Sequence, residues 1–308
     1  MSRIFDALQR SGTEQSGIEY PDMVSVATEV FEAPRHQESP EKPMLEELLS
    51  IQVPPAVSAV QAAASPDTAF ERTETVVEFP ALEVSVTAAS RLVYFTEPDS
   101  LAAEKFRFLG VRLRQLRQNR TLKKVLVTST IPEEGKSLVS ANLAGVLARR
   151  KQRVLLIEGD MRRPTLAQQF GLGRLAGLAE WLQSGMQAPS NIYQLGGPGF
   201  WLMPAGEPPA NPLELMQSGR LSHLMAQLVS MFDWIVVDSP PLLPLADTTV
   251  WARLTDGILL VARQGKTEKK QLQRGLEAVK KSDLLGVVLN GCAYSEKNYY
   301  QRYAPASK

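Results

Sequence analysis

Short apolar runs alternate with longer segments of helical periodicity over the C-terminal part of this sequence. The clearest runs cover residues 125–127, 154–157 and 234–237, and every position in them is apolar. Continuous apolar runs of this length are typical of parallel strands buried on both faces, whereas strands with one solvent face alternate apolar and polar residues. The pattern therefore predicts an α/β domain with a mostly parallel sheet and helices on both faces.

The first of these runs leads into a loop that ends in Gly135-Lys136-Ser137, and a helical pattern follows over residues 138–150. A loop of backbone N–H groups before a helix N-terminus forms an anion site. There, a lysine can reach the outer phosphates and a serine can hold Mg²⁺. The general pattern GxxxxGK[ST] begins with glycine, where this chain has Thr130. The strand and helix around the motif nevertheless predict a site for a nucleoside triphosphate.

Carboxylates follow the other two apolar runs. Glu158 and Asp160 come after one run, and Asp238 comes after the other. A single acidic residue behind a strand is more often a helix cap or a solvated turn. In parallel sheets, however, ligands bind beyond the carboxyl ends of the strands. We therefore predict that these carboxylates converge with Lys136 at one edge of the sheet.

Charge divides the chain into two parts. Residues 1–90 contain 15 acidic and 5 basic residues, whereas the rest of the chain contains 18 acidic and 29 basic residues. The first part is also rich in proline and lacks sustained periodicity, so it would bury too little apolar area to offset its ordering entropy. We predict a disordered acidic linker over residues 1–90, a P-loop domain over 91–290 and a flexible tyrosine-rich tail over 291–308.

A short amphipathic helix is predicted at the start of the linker, where Ile4, Phe5 and Leu8 share one helical face. A helix of this length is marginal on its own. Docking onto a partner and fraying without a role therefore both stay open.

Composition argues against several other classes of protein. No stretch approaches the length of apolar sequence that a membrane span needs. The single cysteine, Cys292, excludes an internal disulfide and is typical of a reducing cytoplasm. His36 and His223 are too isolated to form a metal cluster, and no nucleic-acid-binding module is recognisable.

Three motifs occur in order along the chain. They are Pro132-Glu133-Glu134-Gly135-Lys136-Ser137, Glu158-Gly159-Asp160-Met161-Arg162-Arg163-Pro164 and Asp238-Ser239-Pro240-Pro241. Together they resemble the motifs of the bacterial tyrosine kinases, or BY-kinases, which regulate capsule and exopolysaccharide export. The resemblance spans residues 90–303. It implies the P-loop fold shared with the MinD and ParA ATPases and an ATP-dependent autokinase activity between subunits.

The resemblance also implies roles for individual residues. ATP would be bound by Pro132, Glu133, Glu134, Gly135, Lys136, Ser137, Leu138 and Asn290. Mg²⁺ would be held by Ser137, Asp160 and Asp238. The catalytic set would be Lys136, Asp160, Glu158, Asp238 and Arg162. Within it, Asp160 with Glu158 would receive or orient the tyrosine hydroxyl, and Arg162 would steady phosphate charge.

Two further stretches match features of the family. The tail contains four of the chain's seven tyrosines, and the resemblance implies that they are the autophosphorylation sites: Tyr294, Tyr299, Tyr300 and Tyr303. The ExxRxxR helix that joins neighbouring subunits into a homo-oligomeric ring is matched by Glu104 and Arg107, with Gly110 at the third place. For the tail, the alternative is that its tyrosine rings dock on its own domain. For the helix with Glu104 and Arg107, the alternative is a charged face exposed to solvent.

Partners follow from the same resemblance. A separate membrane chain-length-determinant protein, the polysaccharide co-polymerase, would activate the kinase, and a tyrosine phosphatase would reverse the modification. The kinase would lie in the cytoplasm, recruited to the inner face of the membrane. No nucleic acid is expected among its partners.

Departures from the family motifs keep two other functions open. Glu133 stands at a usual glycine and Glu158 at a usual aspartate, which keeps open a catalytically weak nucleotide-binding scaffold of a polysaccharide export complex. A MinD/ParA-like ATPase switch is the other alternative, although those ATPases carry a further lysine where this chain has Ile131. If the backbone at Glu133 requires φ above zero, we expect a steric cost there.

Overall fold

The computed structural model describes residues 78–87, 90–243, 246–279 and 283–292. The strands in this part of the chain are β1 (Ala81–Leu82), β2 (Lys124–Ser129), β3 (Val154–Glu158), β4 (Tyr193–Leu195), β5 (Phe200–Met203), β6 (Trp234–Asp238), β7 (Gly257–Arg263) and β8 (Leu284–Asn290). They form one eight-stranded sheet in the spatial order β1-β4-β5-β3-β6-β2-β7-β8. All neighbouring strands are parallel except β4 and β5, which are antiparallel.

Helices connect most of the strands, as parallel pairing requires. They are α1 (Val93–Thr96), α2 (Leu101–Asn119), α3 (Lys136–Ala148), α4 (Leu166–Gln169), α5 (Leu178–Ser184), α6 (Pro212–Gln217), α7 (Arg220–Met231), α8 (Asp247–Leu254) and α9 (Lys269–Ala278). A 3₁₀ turn, Arg149–Lys151, follows α3.

Alternate side chains of the central strands enter two separate cores. Val125 and Val127 of β2 belong to the core that includes α2 and α3, whereas Leu126 belongs to the core that includes α5, α7 and α8. All three side chains are fully buried. Burial on both faces explains why the strands are continuous apolar runs in the sequence. The predicted α/β fold with a mostly parallel sheet is therefore confirmed.

The domain begins earlier than residue 91, inside the segment predicted as linker. Strand β1 pairs with β4, with Ala81 opposite Gln194. The ring of Phe79 stacks on Phe232 with the centroids 6.1 Å apart, and Val84 packs against the core of α2 and α3. The sequence could not show this because a two-residue strand has no periodicity, and its partner is an edge strand distant in the chain.

The remaining predictions for the linker, residues 1–77, lie outside the described residues, as do those for the tail from residue 293. In the part of the chain that the structure describes, no helix has the length and apolarity that crossing a membrane requires.

Candidate active site

The phosphate loop joins the end of β2 to the start of α3 and contains two residues with positive φ. Gly135 has a φ of +95° and immediately precedes α3. A Cβ at this position would lie 2.1 Å from Nδ2 of Asn290, so both the backbone conformation and the space require glycine. Glu133 has a φ of +64°. The chain therefore carries a side chain in the left-handed conformation, where it has a steric cost.

Glu134 fixes the loop to the neighbouring strands. Its side chain is fully buried, and its carboxylate accepts hydrogen bonds from the N–H of Ile131 at 2.9 Å and from the hydroxyl of Thr267. Its carbonyl oxygen accepts a hydrogen bond from Nδ2 of Asn290 at 2.9 Å. Since Thr267 follows β7 and Asn290 ends β8, the loop is braced by two strands. The predicted contact of Asn290 with bound ATP stays a prediction, and Thr267 is a residue that the sequence analysis missed.

Lys136 contacts the second motif at the edge of the sheet. Its Nζ lies 3.1 Å from Oδ2 of Asp160, and both side chains are largely buried. The other oxygen of Asp160, Oδ1, accepts a hydrogen bond from the N–H of Arg163 at 3.1 Å. Burial alone would lower the pKa of Lys136, but the carboxylates of Asp238 and Asp160 outweigh burial and raise this pKa. The lysine is therefore held in the charged form that binding of phosphate needs.

Asp238 ends β6 next to the first turn of α3. The residue is only 1% exposed, and the hydroxyl of Ser137 acts on its carboxylate in the direction that lowers its pKa. The Oγ of Ser140 lies 3.3 Å from Oδ1 of Asp238. Burial raises the pKa of Asp238 to about 7, although the charge of Lys136 acts in the opposite direction.

A magnesium ion fits the chemistry of this corner of the site. A serine hydroxyl and a carboxylate are the hard oxygen ligands that Mg²⁺ prefers. Ser137 and Asp238 supply them side by side. A bound cation would also stabilise the ionised form of a carboxylate that burial otherwise disfavours.

Glu158 has contacts that differ from the predicted ones. Its buried carboxylate accepts hydrogen bonds from the N–H groups of Thr165 and Leu166 through Oε1 and of Ala205 through Oε2. Burial raises the pKa of Glu158, and these hydrogen bonds oppose the shift. Through these hydrogen bonds Glu158 ties the loop after β3 to the end of β5. Its part, with Asp160, in receiving or orienting the tyrosine hydroxyl stays a prediction.

Arg162 is positioned by an acidic residue that the sequence analysis missed. Its Nε and Nη2 donate to the two carboxylate oxygens of Asp247 at distances of 2.7 and 3.1 Å. Such a bidentate pair fixes the plane of the guanidinium group. Asp247 begins α8, 85 residues along the chain, and no local motif marks it.

The phosphate loop and the second motif enclose a cavity of about 510 Å³. Its wall consists of Pro132, Glu133, Gly135, Lys136, Ser137, Asp160, Arg162, Arg163, Thr165 and Pro241. The predicted residues Glu134, Leu138, Glu158, Asp238 and Asn290 are not part of this wall. Small-molecule sites usually measure about 300–1,000 Å³, so the cavity is large enough for the phosphates of a nucleotide together with an acceptor group.

The residues predicted to contact a neighbouring subunit lie on α2. Arg107 pairs with Glu104 of its own helix, with Nη1 and Oε2 separated by 2.5 Å. Gly110, the third place of the motif, is buried against α3, where an added Cβ would lie 2.3 Å from Cγ1 of Val146. An arginine at position 110 would therefore push the two helices apart. The contact with a second subunit stays a prediction.

Comparison with known proteins identifies the family. No family model matches the chain. The tyrosine-protein kinase YwqD of Bacillus subtilis is 34% identical over 214 residues, which cover 69% of this chain and 90% of that protein. The chain belongs to the bacterial tyrosine-protein kinases.

Two other matches extend this result. The kinase domain of the Escherichia coli tyrosine kinase ETK superposes with a TM-score of 0.62 at 30% identity, covering 66% of this chain and 83% of that domain. The succinoglycan biosynthesis transport protein ExoP of Rhizobium meliloti is 32% identical over 216 residues, which are 68% of this chain and 28% of ExoP. The fold and the enzyme class predicted from the motifs are therefore confirmed.

Proposed function

We propose that this tyrosine kinase transfers the γ-phosphate of ATP to tyrosines in the tail of a neighbouring copy of itself and so regulates capsule or exopolysaccharide export. The observation that carries the proposal is the contact between Lys136 and Asp160 in the wall of one cavity, at 3.1 Å. This contact supports the proposal because it pairs the lysine that would bind phosphate with the carboxylate that would accept a proton. The polysaccharide part is supported by the similarity to ExoP, a succinoglycan biosynthesis transport protein.

The phosphates of ATP would be bound by the backbone N–H groups of the phosphate loop and by Lys136, at the N-terminus of α3. Ser137 and Asp238 would hold Mg²⁺, with Asp160 next to them. When bound, the ion would neutralise charge on the phosphate oxygens. Glu134, braced by Thr267, would keep the loop in the conformation that presents its N–H groups.

The tyrosine hydroxyl would enter from the side of Asp160. A phenol has a pKa of about 10, so its proton must be accepted as its oxygen attacks the γ-phosphorus. Asp160 would take this proton while the bond from the γ-phosphorus to the bridging oxygen of ADP breaks. Arg162, held in the cavity wall by Asp247, would steady the charge that spreads over the phosphoryl oxygens.

The proposed acceptors are Tyr294, Tyr299, Tyr300 and Tyr303, and the proposed assembly is a ring that uses the α2 surface around Glu104 and Arg107. Each phosphate would add about −1.5 to −2 charges to the tail, beside a part of the chain with 29 basic and 18 acidic residues. A membrane chain-length-determinant protein as activator and a tyrosine phosphatase complete the proposed system.

Transfer between subunits can be tested by mixing two full-length variants. One carries Lys136→Met and keeps its tail tyrosines, and the other has an intact site but phenylalanine in place of all four tail tyrosines. The mixture is incubated with Mg²⁺ and labelled ATP, with the cytoplasmic segment of a candidate membrane activator present. A Lys270→Met variant serves as the matched control because Lys270 is exposed on α9 and is not part of the cavity wall.

We expect mass spectrometry to find phosphate on the tail tyrosines of the Lys136→Met chain. The same chain alone should stay unlabelled, whereas the Lys270→Met chain should label itself. Release of phosphate without labelled tyrosine would indicate an ATPase switch. Nucleotide binding with neither product would indicate a scaffold, and either result would contradict the proposal.

A further inference from the structure

Glu133 places a negative charge in the wall of the cavity proposed to receive phosphates. Its backbone has a φ of +64°, in the left-handed region that disfavours side chains. Its side chain is 77% exposed and contributes to the cavity wall. The position therefore combines a conformational cost with a charge of the same sign as the proposed ligand.

Cations surround this carboxylate on the side of β7. The Nζ of Lys266 lies 2.5 Å from Oε2 of Glu133, and Nη1 of Arg263 donates to the backbone carbonyl of Glu133 at 3.1 Å. The hydrogen bond from Lys266 is the main reason that the pKa of Glu133 is lowered, and the charges of Arg163 and Arg263 add to it. Glu133 is therefore ionised at neutral pH, and Lys266 offsets part of its charge.

Stability does not explain this arrangement. Exposed ion pairs contribute little to folding because solvent and salt screen them. The pair with Lys266 therefore does not offset the cost of the strained backbone at Glu133. Backbone strain that persists at a binding site points instead to a role in function. The role that fits a carboxylate in a phosphate cavity is electrostatic.

We propose that Glu133 sets the nucleotide affinity of this cavity, and that its ion pair with Lys266 decides how strongly the carboxylate opposes bound phosphate. The inference rests on the proposed function, in which the cavity binds ATP. Because the repulsion grows with the charge of the ligand, Glu133 weakens the binding of ATP more than that of ADP. Glu133 is thus a specificity-determining residue, and Lys266 acts through it.

A double-mutant cycle on the full-length chain tests the inference. Binding of ATP and of ADP, each with Mg²⁺, is measured by calorimetry for the wild type, Glu133→Gln, Lys266→Ala and the double variant. Lys270→Ala is the matched control, since it removes the same charge from the neighbouring helix without touching Glu133. Glu133→Gly is a second variant that removes the charge together with the backbone strain.

We expect Glu133→Gln and Glu133→Gly to bind ATP about three- to tenfold more tightly than the wild type, with a smaller gain for ADP. Lys266→Ala should weaken ATP binding when Glu133 is present and have no effect in the Glu133→Gln background. These differences should shrink as salt is added. Lys270→Ala should bind like the wild type.

Three results would overturn the inference, and each would lead to a different conclusion. Unchanged affinity in both Glu133 variants would show that the carboxylate has no electrostatic role. Equal weakening by Lys266→Ala in both backgrounds would show that Lys266 binds phosphate directly. If the wild type binds no nucleotide while its melting transition is intact, the proposed function fails, and the inference fails with it.

Discussion

At the residue scale, the site is a group of buried charges that depend on one another. Lys136 lies between two carboxylates, and their charges keep its pKa high against the effect of burial. Asp238 is almost completely buried, and even with Lys136 nearby its pKa is raised to about 7. A bound cation would strongly stabilise the ionised form of such a buried carboxylate, because its positive charge compensates for the lost contact with water.

The first prediction concerns the pH dependence of magnesium binding. A protonated carboxyl is a poor ligand, so the Mg²⁺-dependent part of ATP-analogue binding should weaken as the pH falls below about 7 and level off well above it. In Asp238→Asn the Mg²⁺-dependent part should be lost at every pH. The Mg²⁺-dependent part is the difference between binding measured by calorimetry with Mg²⁺ and without it at each pH. The nucleotide itself titrates in both measurements, so the difference corrects for its titration. A magnesium effect of equal size in the variant would remove Asp238 from the metal site.

At the element scale, several charged residues of the motifs hold elements together. Glu134 connects the phosphate loop to the loop after β7, and Glu158 connects the start of α4 to the end of β5. Gly159 allows the loop after β3 to pack closely against α8, because a Cβ at this position would lie 2.7 Å from Nε1 of Trp251. Such contacts keep the cavity wall in register with the sheet without touching a ligand.

The second prediction concerns the contact between α2 and α3. Gly110→Ala should destabilise the domain by about 1–3 kcal/mol, because the new methyl group would overlap Val146. Adding Val146→Ala should recover part of the loss, since it removes the overlapping methyl groups. Urea unfolding measures both effects. Val111→Ala, an exposed change on the same helix, is the control and should alter stability by less than about 0.5 kcal/mol.

If Gly110→Ala unfolds at the same urea concentration as the wild type, the helices can separate without cost. The glycine would then carry no packing constraint against a methyl group.

At the scale of the whole molecule, the sheet extends into the segment that the sequence assigns to a linker. Strand β1 adds backbone hydrogen bonds at the edge strand β4, and Phe79 packs on Phe232. An edge strand has unpaired N–H and C=O groups that accept such an addition. Residues 78–87 therefore belong to the domain.

The third prediction separates this segment from the rest of the N-terminal part. Phe79→Ala should lower the free energy of unfolding by about 1–3 kcal/mol, because it removes a stacked, half-buried ring. Removing residues 1–77 should leave the melting temperature nearly unchanged, whereas removing residues 1–87 should lower it. Differential scanning calorimetry on the three proteins is the measurement. Equal melting temperatures in both truncated proteins would show that β1 does not stabilise the domain.

The fold class, the phosphate loop and the convergence of Lys136, Asp160 and Asp238 could all be predicted from the sequence. These features follow from local rules: strands buried on both faces are continuous apolar runs, and parallel strands end at the same edge. The positive φ at Gly135 follows from an equally local rule, because glycine adopts positive φ without a steric cost.

The contacts of the other charged residues depend on how distant parts of the chain pack together. Glu158 ends a strand just as Asp238 does, yet its oxygens accept hydrogen bonds from the backbone of Thr165 and Ala205. Asp247 holds Arg162 although 85 residues separate them. The partner of a charged side chain depends on which distant segments the fold brings within about 3 Å, and no local pattern encodes that distance.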